Sequence, residues 1–275
     1  MNKGRDGSGK GFSLILDTPD KKIVPDWKVW DAHVSIPRTV VHRVQFLQAY
    51  IPPSLPLTLE RGQGFLQGEF HASSDVSKSK GDFQLKVKDL DLIYKKNLRF
   101  VGSAESKMKM TKMDPKKGEI DISDAGIDIT ELNFLDKKNW QGSIHLTQTK
   151  VKYEKPATLT SHVAVRGDNL QPVLAFLVKD KSFPEFVLKA FDLKEPKVDF
   201  KVMAAEKSLS VRDFDAKAGD LAMKGWFDQR VEKAKARFLL EYAGLAGGYG
   251  FDGDKTQWKL TGAKDWYKNE EKTRL

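Results

Sequence analysis

GDFQLKVKDLDLIY, residues 81–94, decides how this chain folds. Phe83, Leu85 and Val87 alternate with Gln84, Lys86 and Lys88, and a period of two is the mark of a strand with one apolar face. At Asp89 the pattern slips by one, and Leu90, Leu92 and Tyr94 continue it. A single extra residue that restores the apolar phase predicts a β-bulge. Upstream, LQGEFHA puts Leu66, Gly68, Phe70 and Ala72 on one face, with Gln67, Glu69 and His71 on the other.

The same alternation recurs along the chain. It pairs Leu98 with Phe100, Met108 with Met110, Ile120 with Ile122, Ile127 with Ile129, Ile144 with Leu146, and Val163 with Val165. Later it joins Val198, Phe200 and Val202, then Leu221 and Met223, then Phe238, Leu240 and Tyr242. Turn signals such as Asp114-Pro115, Lys155-Pro156 and Glu195-Pro196 separate these runs. Many strands joined by short turns predict a mainly β chain with an antiparallel sheet. Covered on both faces, such strands would be continuously apolar; here one phase is polar in nearly every strand. The apolar phases must therefore meet one another or a ligand. A sandwich, a barrel and a long curled sheet all satisfy that requirement.

Helix signals are few. TVVHRVQFLQAY, residues 39–50, carries Val40, Val44, Leu47 and Ile51 at helical spacing ahead of Pro52-Pro53. A second helix is expected from Asp168 as N-cap to about Lys179. A third starts at SFPE, where Ser182 and Glu185 form a capping box. EKAKARFLLEY has helical propensity, but its alternation from Ala234 to Tyr242 predicts a strand. The expected organisation is a flexible leader over 1–11, a single elongated β domain over 12–267 with a helical insert near 168–192, and a polar tail over 268–275.

With 275 residues, 31% of them charged and 40% hydrophobic, the chain can bury a sizeable core. No run approaches the ~18 apolar residues of a membrane-spanning helix, and the first thirty residues hold no signal-peptide core. The absence of cysteine excludes disulfides, thiolate metal sites and cysteine nucleophiles. A net charge of +9 suits an anionic partner. Residues 78–117 alone carry 12 Lys+Arg against 5 Asp+Glu, which also fits lysines on the solvent face of strands.

No motif commits the chain to catalysis. GRDGSGKG, residues 4–11, has the glycine and lysine spacing of a phosphate loop. Gly11 replaces its Mg²⁺-binding hydroxyl, and no strand precedes it. GYGFDG, residues 248–253, matches a dinucleotide fingerprint but lacks a following helix, and reads as a glycine-rich turn or bulge. His33, His42, His71, His145 and His162 form no local metal motif, and the last three fall on polar strand phases as solvated side chains. No serine sits in a nucleophile elbow. Asp89, Asp91 and Asp121 read as solvated strand positions. Aromatics and lysines occupy opposite phases, which argues against a nucleic-acid platform. No metal and no cofactor is expected.

Several phrases together resemble the C-terminal region of AsmA-like proteins, the group of bacterial envelope proteins that includes TamB. They are LTLERGQGFLQGEF (57–70), GDFQLKVKDLDLIYKKNLRFVGSAESKMKM (81–110), IDISDAGIDITELNF (120–134), NWQGSIHLTQTKVKY (139–153), SLSVRDFDAKAGDLAMKGWF (208–227) and KARFLLEYAGLAGGYGFDG (235–253). RGDNLQPVLAFLV with SFPEFV is similar to the helical insert of some members. The resemblance implies a long antiparallel sheet curled into a half-pipe, the β-taco, whose inner groove shelters acyl chains. It also implies a periplasmic location in a Gram-negative bacterium and tethering through a membrane segment of a longer parent chain.

On that basis the expected function is lipid binding or lipid transfer without catalysis. An acyl chain gains ~0.8 kcal/mol for each CH₂ buried, so an apolar groove suffices. The groove candidates are Leu66, Phe70, Phe83, Leu85, Phe100, Ile144, Leu146, Val163, Val165, Phe200, Val202, Leu221, Met223, Phe238 and Leu240. A basic rim of Lys86, Lys88, Lys95, Lys96, Arg99, Lys107 and Lys109 would meet the headgroups of a phospholipid or other anionic lipid. The alternative is a structural or assembly protein of the envelope that binds a protein partner.

Overall fold

The computed structural model describes residues 7–8, 11, 13–17, 31–51, 57–73, 75, 78–94, 98–114, 117–134, 137–153, 155–169, 194–230 and 233–272. The protein is mainly β. Its strands are β1 (Gly7–Ser8), β2 (Ser13–Asp17), β3 (Asp31–Val41), β4 (Leu57–Ala72), β5 (Lys80–Tyr94), β6 (Leu98–Asp114), β7 (Glu119–Phe134) and β8 (Lys137–Lys152). There follow β9 (Thr158–Gly167), β10 (Lys197–Ala205), β11 (Ser208–Ala218), β12 (Leu221–Arg230), β13 (Lys233–Tyr242), β14 (Leu245–Asp252) and β15 (Lys255–Lys259). A 3₁₀ helix spans Val44–Tyr50, and an α-helix, α1, spans Ala263–Lys272.

The strands hydrogen-bond in the order β1-β3-β4-β5 and onward without a crossover to β15, and β2 also pairs with β3. Among the described residues no pairing returns from β15 to β1, so the order is open and antiparallel rather than a closed barrel. Two compact units divide the chain, one covering the described residues up to His145 and the other those from Leu146 onward. The division falls inside β8, where alternation alone shows no boundary.

In the first unit the apolar phases stand side by side. Val34, Phe70, Gly81, Met110 and Ile122 form one cross-strand row, and Ile36, Gly68, Phe83, Met108 and Ala125 form the next. Then come Thr39, Leu66, Leu85, Ser106 and Ile127, followed by Val41, Gly64, Val87, Ala104 and Ile129. The slip at Asp89 is a bulge, with φ 51° and a register shift between Val87 and Leu90. An isolated bulge would throw β5 out of phase with its neighbours. Matching irregularities fall between Leu59 and Gln63 in β4 and between Val101 and Ser103 in the β6–β7 ladder, where Glu131 has φ 57°. Leu92 thereby faces Leu59 and Phe100, and the apolar phase continues across all three strands.

Residues 39–50 do not form the single helix that their spacing suggests. Thr39, Val40 and Val41 end β3, as their β-branched side chains favour, and only Val44–Tyr50 turns, in 3₁₀ form. Gln48 then substitutes for a strand neighbour at the start of β4. Its Nε2 donates to Leu57 O and its Oε1 accepts from Leu59 N, both at 2.9 Å. Val44 packs with Val41 and Val87, flanked by Phe46, Leu59, Leu66, Leu85 and Leu90. A second cluster gathers Tyr94, Phe100, Leu132 and Trp140. Gly7 and Ser8, read as part of a flexible leader, pair with Val41 and Val40.

The second unit repeats the scheme. Val165, Val198, Ala216, Met223, Leu240 and Gly247 form one row. A bulge at Asp213, φ 51°, brings Phe214 into line with Gly225, Phe238, Tyr249 and Trp258. Lys233–Tyr242, the described part of EKAKARFLLEY, form strand β13. Within GLAGGYGFDG, residues 245–252 form β14 and not a turn, and Gly248 and Gly250 accommodate neighbours on the far face. A Cβ at Gly248 would come within 2.6 Å of the Trp266 ring, and one at Gly250 within 2.6 Å of Arg237. Residues 268–272 of the expected polar tail form the C-terminal part of α1. Ala263 and Tyr267 of α1 pack with Trp226 and Leu239 on the face opposite the aromatic row. The two helices expected between Asp168 and about residue 192 lie outside the described residues, apart from Asp168 and Asn169.

Candidate functional site

Six of the fifteen groove candidates are core. Phe100 is 2% exposed, and Val163, Val165, Leu221, Met223 and Leu240 are also buried. The other nine, Leu66, Phe70, Phe83, Leu85, Ile144, Leu146, Phe200, Val202 and Phe238, are half-buried. A strand side chain that is neither polar nor sealed leaves part of an apolar sheet face in contact with water.

In the first unit this surface is continuous. Phe70, Phe83, Leu66 and Leu85 come from adjacent rows of β4 and β5, and half-buried Met108, Ile122 and Ile127 extend the rows into β6 and β7. Phe70 crosses onto β5 at Gly81, where an added Cβ would come within 2.6 Å of its ring. Large rings thus alternate with glycine across the ladder. Met108 and Ile127, which alternation marks only as strand residues, belong to the same surface, and half-buried Val34 and Ile36 of β3 join it.

The second unit holds an aromatic row. Phe200 stacks on Phe214 with ring centroids 6.1 Å apart, Phe214 meets Phe238 edge to face at 5.8 Å, and Tyr249 meets Trp258 at 4.5 Å. Phe214, Tyr249 and Trp258 were not anticipated. The bulge at Asp213 and the glycines around Tyr249 disguise their phase.

The polar face of the first unit carries ordered networks. Gln67 Nε2 donates to Gln84 Oε1, and Gln84 Nε2 donates to Glu105 Oε1, both at 2.8 Å. Lys107 lies 2.8 Å and Lys86 3.3 Å from the same carboxylate. Hydrogen bonding from Lys107, then Gln84 and Lys86, lowers the Glu105 pKa to about 2. Asp91, expected to be solvated, has only 1% of its side chain exposed and is held by Arg99 at 2.6 Å and Arg61 at 3.0 Å. Hydrogen bonding to Arg99 is the main cause holding its pKa below the usual carboxylate range.

The basic rim is placed differently from its expected position. Lys86, Lys88, Lys107 and Lys109 occupy mid-strand positions on the polar phase, alternating with Leu85, Val87 and Met108 of the opposite face. Arg99 is engaged by Asp91, and Lys95 and Lys96 lie outside the described residues. These lysines therefore do not border the apolar surface. Among the described residues no three His, Asp or Glu side chains converge as a metal site, and no helix is long and apolar enough to cross a membrane. Comparison of the chain with protein-family models, curated proteins and solved structures finds no match.

Proposed function

We propose that this protein binds lipid, sheltering acyl chains on the apolar faces of its sheet and passing them along without covalent chemistry. The observation that carries this reading is the patch of half-buried Leu66, Phe70, Phe83 and Leu85 in adjacent rows, extended by Met108 and Ile127 on neighbouring strands. Such a surface gains ~25 cal/mol for each Å² of apolar area that an acyl chain removes from water, and needs no specific polar partner to do so. The open strand order and the absence of a catalytic motif in the sequence fit a binding role. A periplasmic setting between two membranes, with phospholipid as the cargo, is part of this proposal and is what the resemblance to AsmA-like proteins implies.

The test is to isolate the protein from bacterial membranes under mild conditions and quantify co-purifying phospholipid by mass spectrometry. Stoichiometric phospholipid is expected. A lipid-free protein that also takes up no fluorescent fatty acid would remove the basis for the reading and favour a scaffold that binds a protein partner.

A further inference from the structure

Far apart in sequence, His33 of β3 and His71 of β4 are direct cross-strand partners in the first unit. Their rings meet edge to face, with centroids 6.3 Å apart and planes at 86°. His71 Nδ1 lies 3.2 Å from the carbonyl oxygen of Lys78. A carbonyl only accepts, so that contact is a hydrogen bond when Nδ1 carries the proton, and the Nε2 lone pair then points away from the backbone. This is how second-shell contacts orient a ligating histidine.

From this pair we propose a surface site for a borderline divalent cation, Zn²⁺, Ni²⁺ or Cu²⁺, bridged by His33 and His71. Imidazole suits these ions. With metal–nitrogen bonds of about 2.0–2.1 Å, two rings on one ion have centroids roughly 5–6.5 Å apart, so small side-chain rotations complete the site. His33 is exposed and His71 half-buried, which leaves the ion open to solvent for its remaining ligands.

Carboxylates and lysines both surround the pair. Exposed Glu69 lies two residues before His71 on the same face, within diagonal reach of His33. Asp82 stands opposite Glu69, and Asp31 lies two residues before His33 on its face. Among the described residues Lys80 stands opposite His71 on the β5 side, Lys109 stands opposite Asp82, and Lys78 lies beside His71, so the two imidazoles and not the net charge carry the site. No local His motif signals the site, because antiparallel register alone brings the two rings together.

Isothermal titration of the full chain with ZnCl₂ and NiCl₂ near neutral pH tests the proposal, with His33→Ala, His71→Ala and, as control, His145→Ala. Either site variant is expected to weaken binding about tenfold or more, while His145→Ala leaves it unchanged. Should a site variant fail to fold, long-range ¹H–¹⁵N spectra of the unaltered protein decide the matter. Zn²⁺ should shift the ring nitrogens of two histidines together and spare the other three. Absence of binding up to about 1 mM Zn²⁺ and Ni²⁺, equal affinity in the site variants, or shifts at other histidines would overturn it.

Discussion

The Asp91 carboxylate accepts from Arg99 Nη2 at 2.6 Å and from Arg99 Nε at 2.9 Å, a two-pronged pair anchored just after the Asp89 bulge. Asp91 is enclosed while both of its arginine partners keep more than half of their side chains in water. The pair thus pins the re-phased half of β5 to β6. Asp91→Asn should lower stability by about 1–3 kcal/mol, as expected when charge-assisted hydrogen bonds to an enclosed acceptor are lost. Chemical denaturation measures this, and Asp89→Asn, at an exposed bulge position, should change stability far less.

Glu105 supplies a pH dependence of definite sign. Its folded pKa, about 2, lies below the ordinary value of 4.5, so the folded state binds fewer protons than the unfolded chain at intermediate pH. The associated stability is fully present above about pH 4.5 and is lost as the pH falls through about 2. Glu105→Gln should flatten the stability profile across that window. Equal slopes for the two proteins in denaturation midpoints measured against pH would refute the assignment.

The sheet was legible in the sequence because alternation and exposure share one physical cause. Phe83, Leu85 and Val87 lie on one face in the fold as in the pattern, and the slip at Asp89 marks a real bulge. What was obscured depends on contacts made across the sheet. Residues 245–252 look like a turn because Gly248 and Gly250 make room for Trp266 and Arg237, which approach from other elements. Helix α1 had a signal, Ala263, Trp266 and Tyr267 spaced to share a face, but its many charges masked it. Alternation names the apolar side of each strand without saying how much of it another layer covers. Phe100 and Phe83 therefore look alike in sequence and differ in burial.

Arg237 docks α1. Its side chain is 9% exposed, it donates from Nε to Glu270 at 2.9 Å, and it lies near the rings of both Trp226 and Trp266. Arg237→Ala should release the helix, at a cost of about 1–3 kcal/mol, and shift the emission of Trp266 to longer wavelength. Unchanged emission would mean that the packing of Ala263 and Tyr267 holds the helix alone.

The contact of Phe70 with Gly81 makes ring position testable. Gly81→Val adds atoms where even a Cβ would meet the Phe70 ring at 2.6 Å and the Glu69 carbonyl oxygen at 2.9 Å, so Phe70 must move and the facing β4 backbone must give slightly. The variant should fold, lose part of its fatty-acid uptake and leave the α1 side of the second unit unaltered. Fluorescent fatty-acid titration alongside Trp266 emission reads both effects.

Bound phospholipid in Phe83→Asp tests the central claim most directly. Phe83 is half-buried on the apolar surface, whereas Phe100 is sealed in the core. Phe83→Asp should therefore yield a folded protein with its phospholipid content strongly reduced by mass spectrometry, whereas Phe100→Asp should unfold the first unit. A folded Phe83→Asp protein that carries as much phospholipid as the unaltered chain would contradict the account.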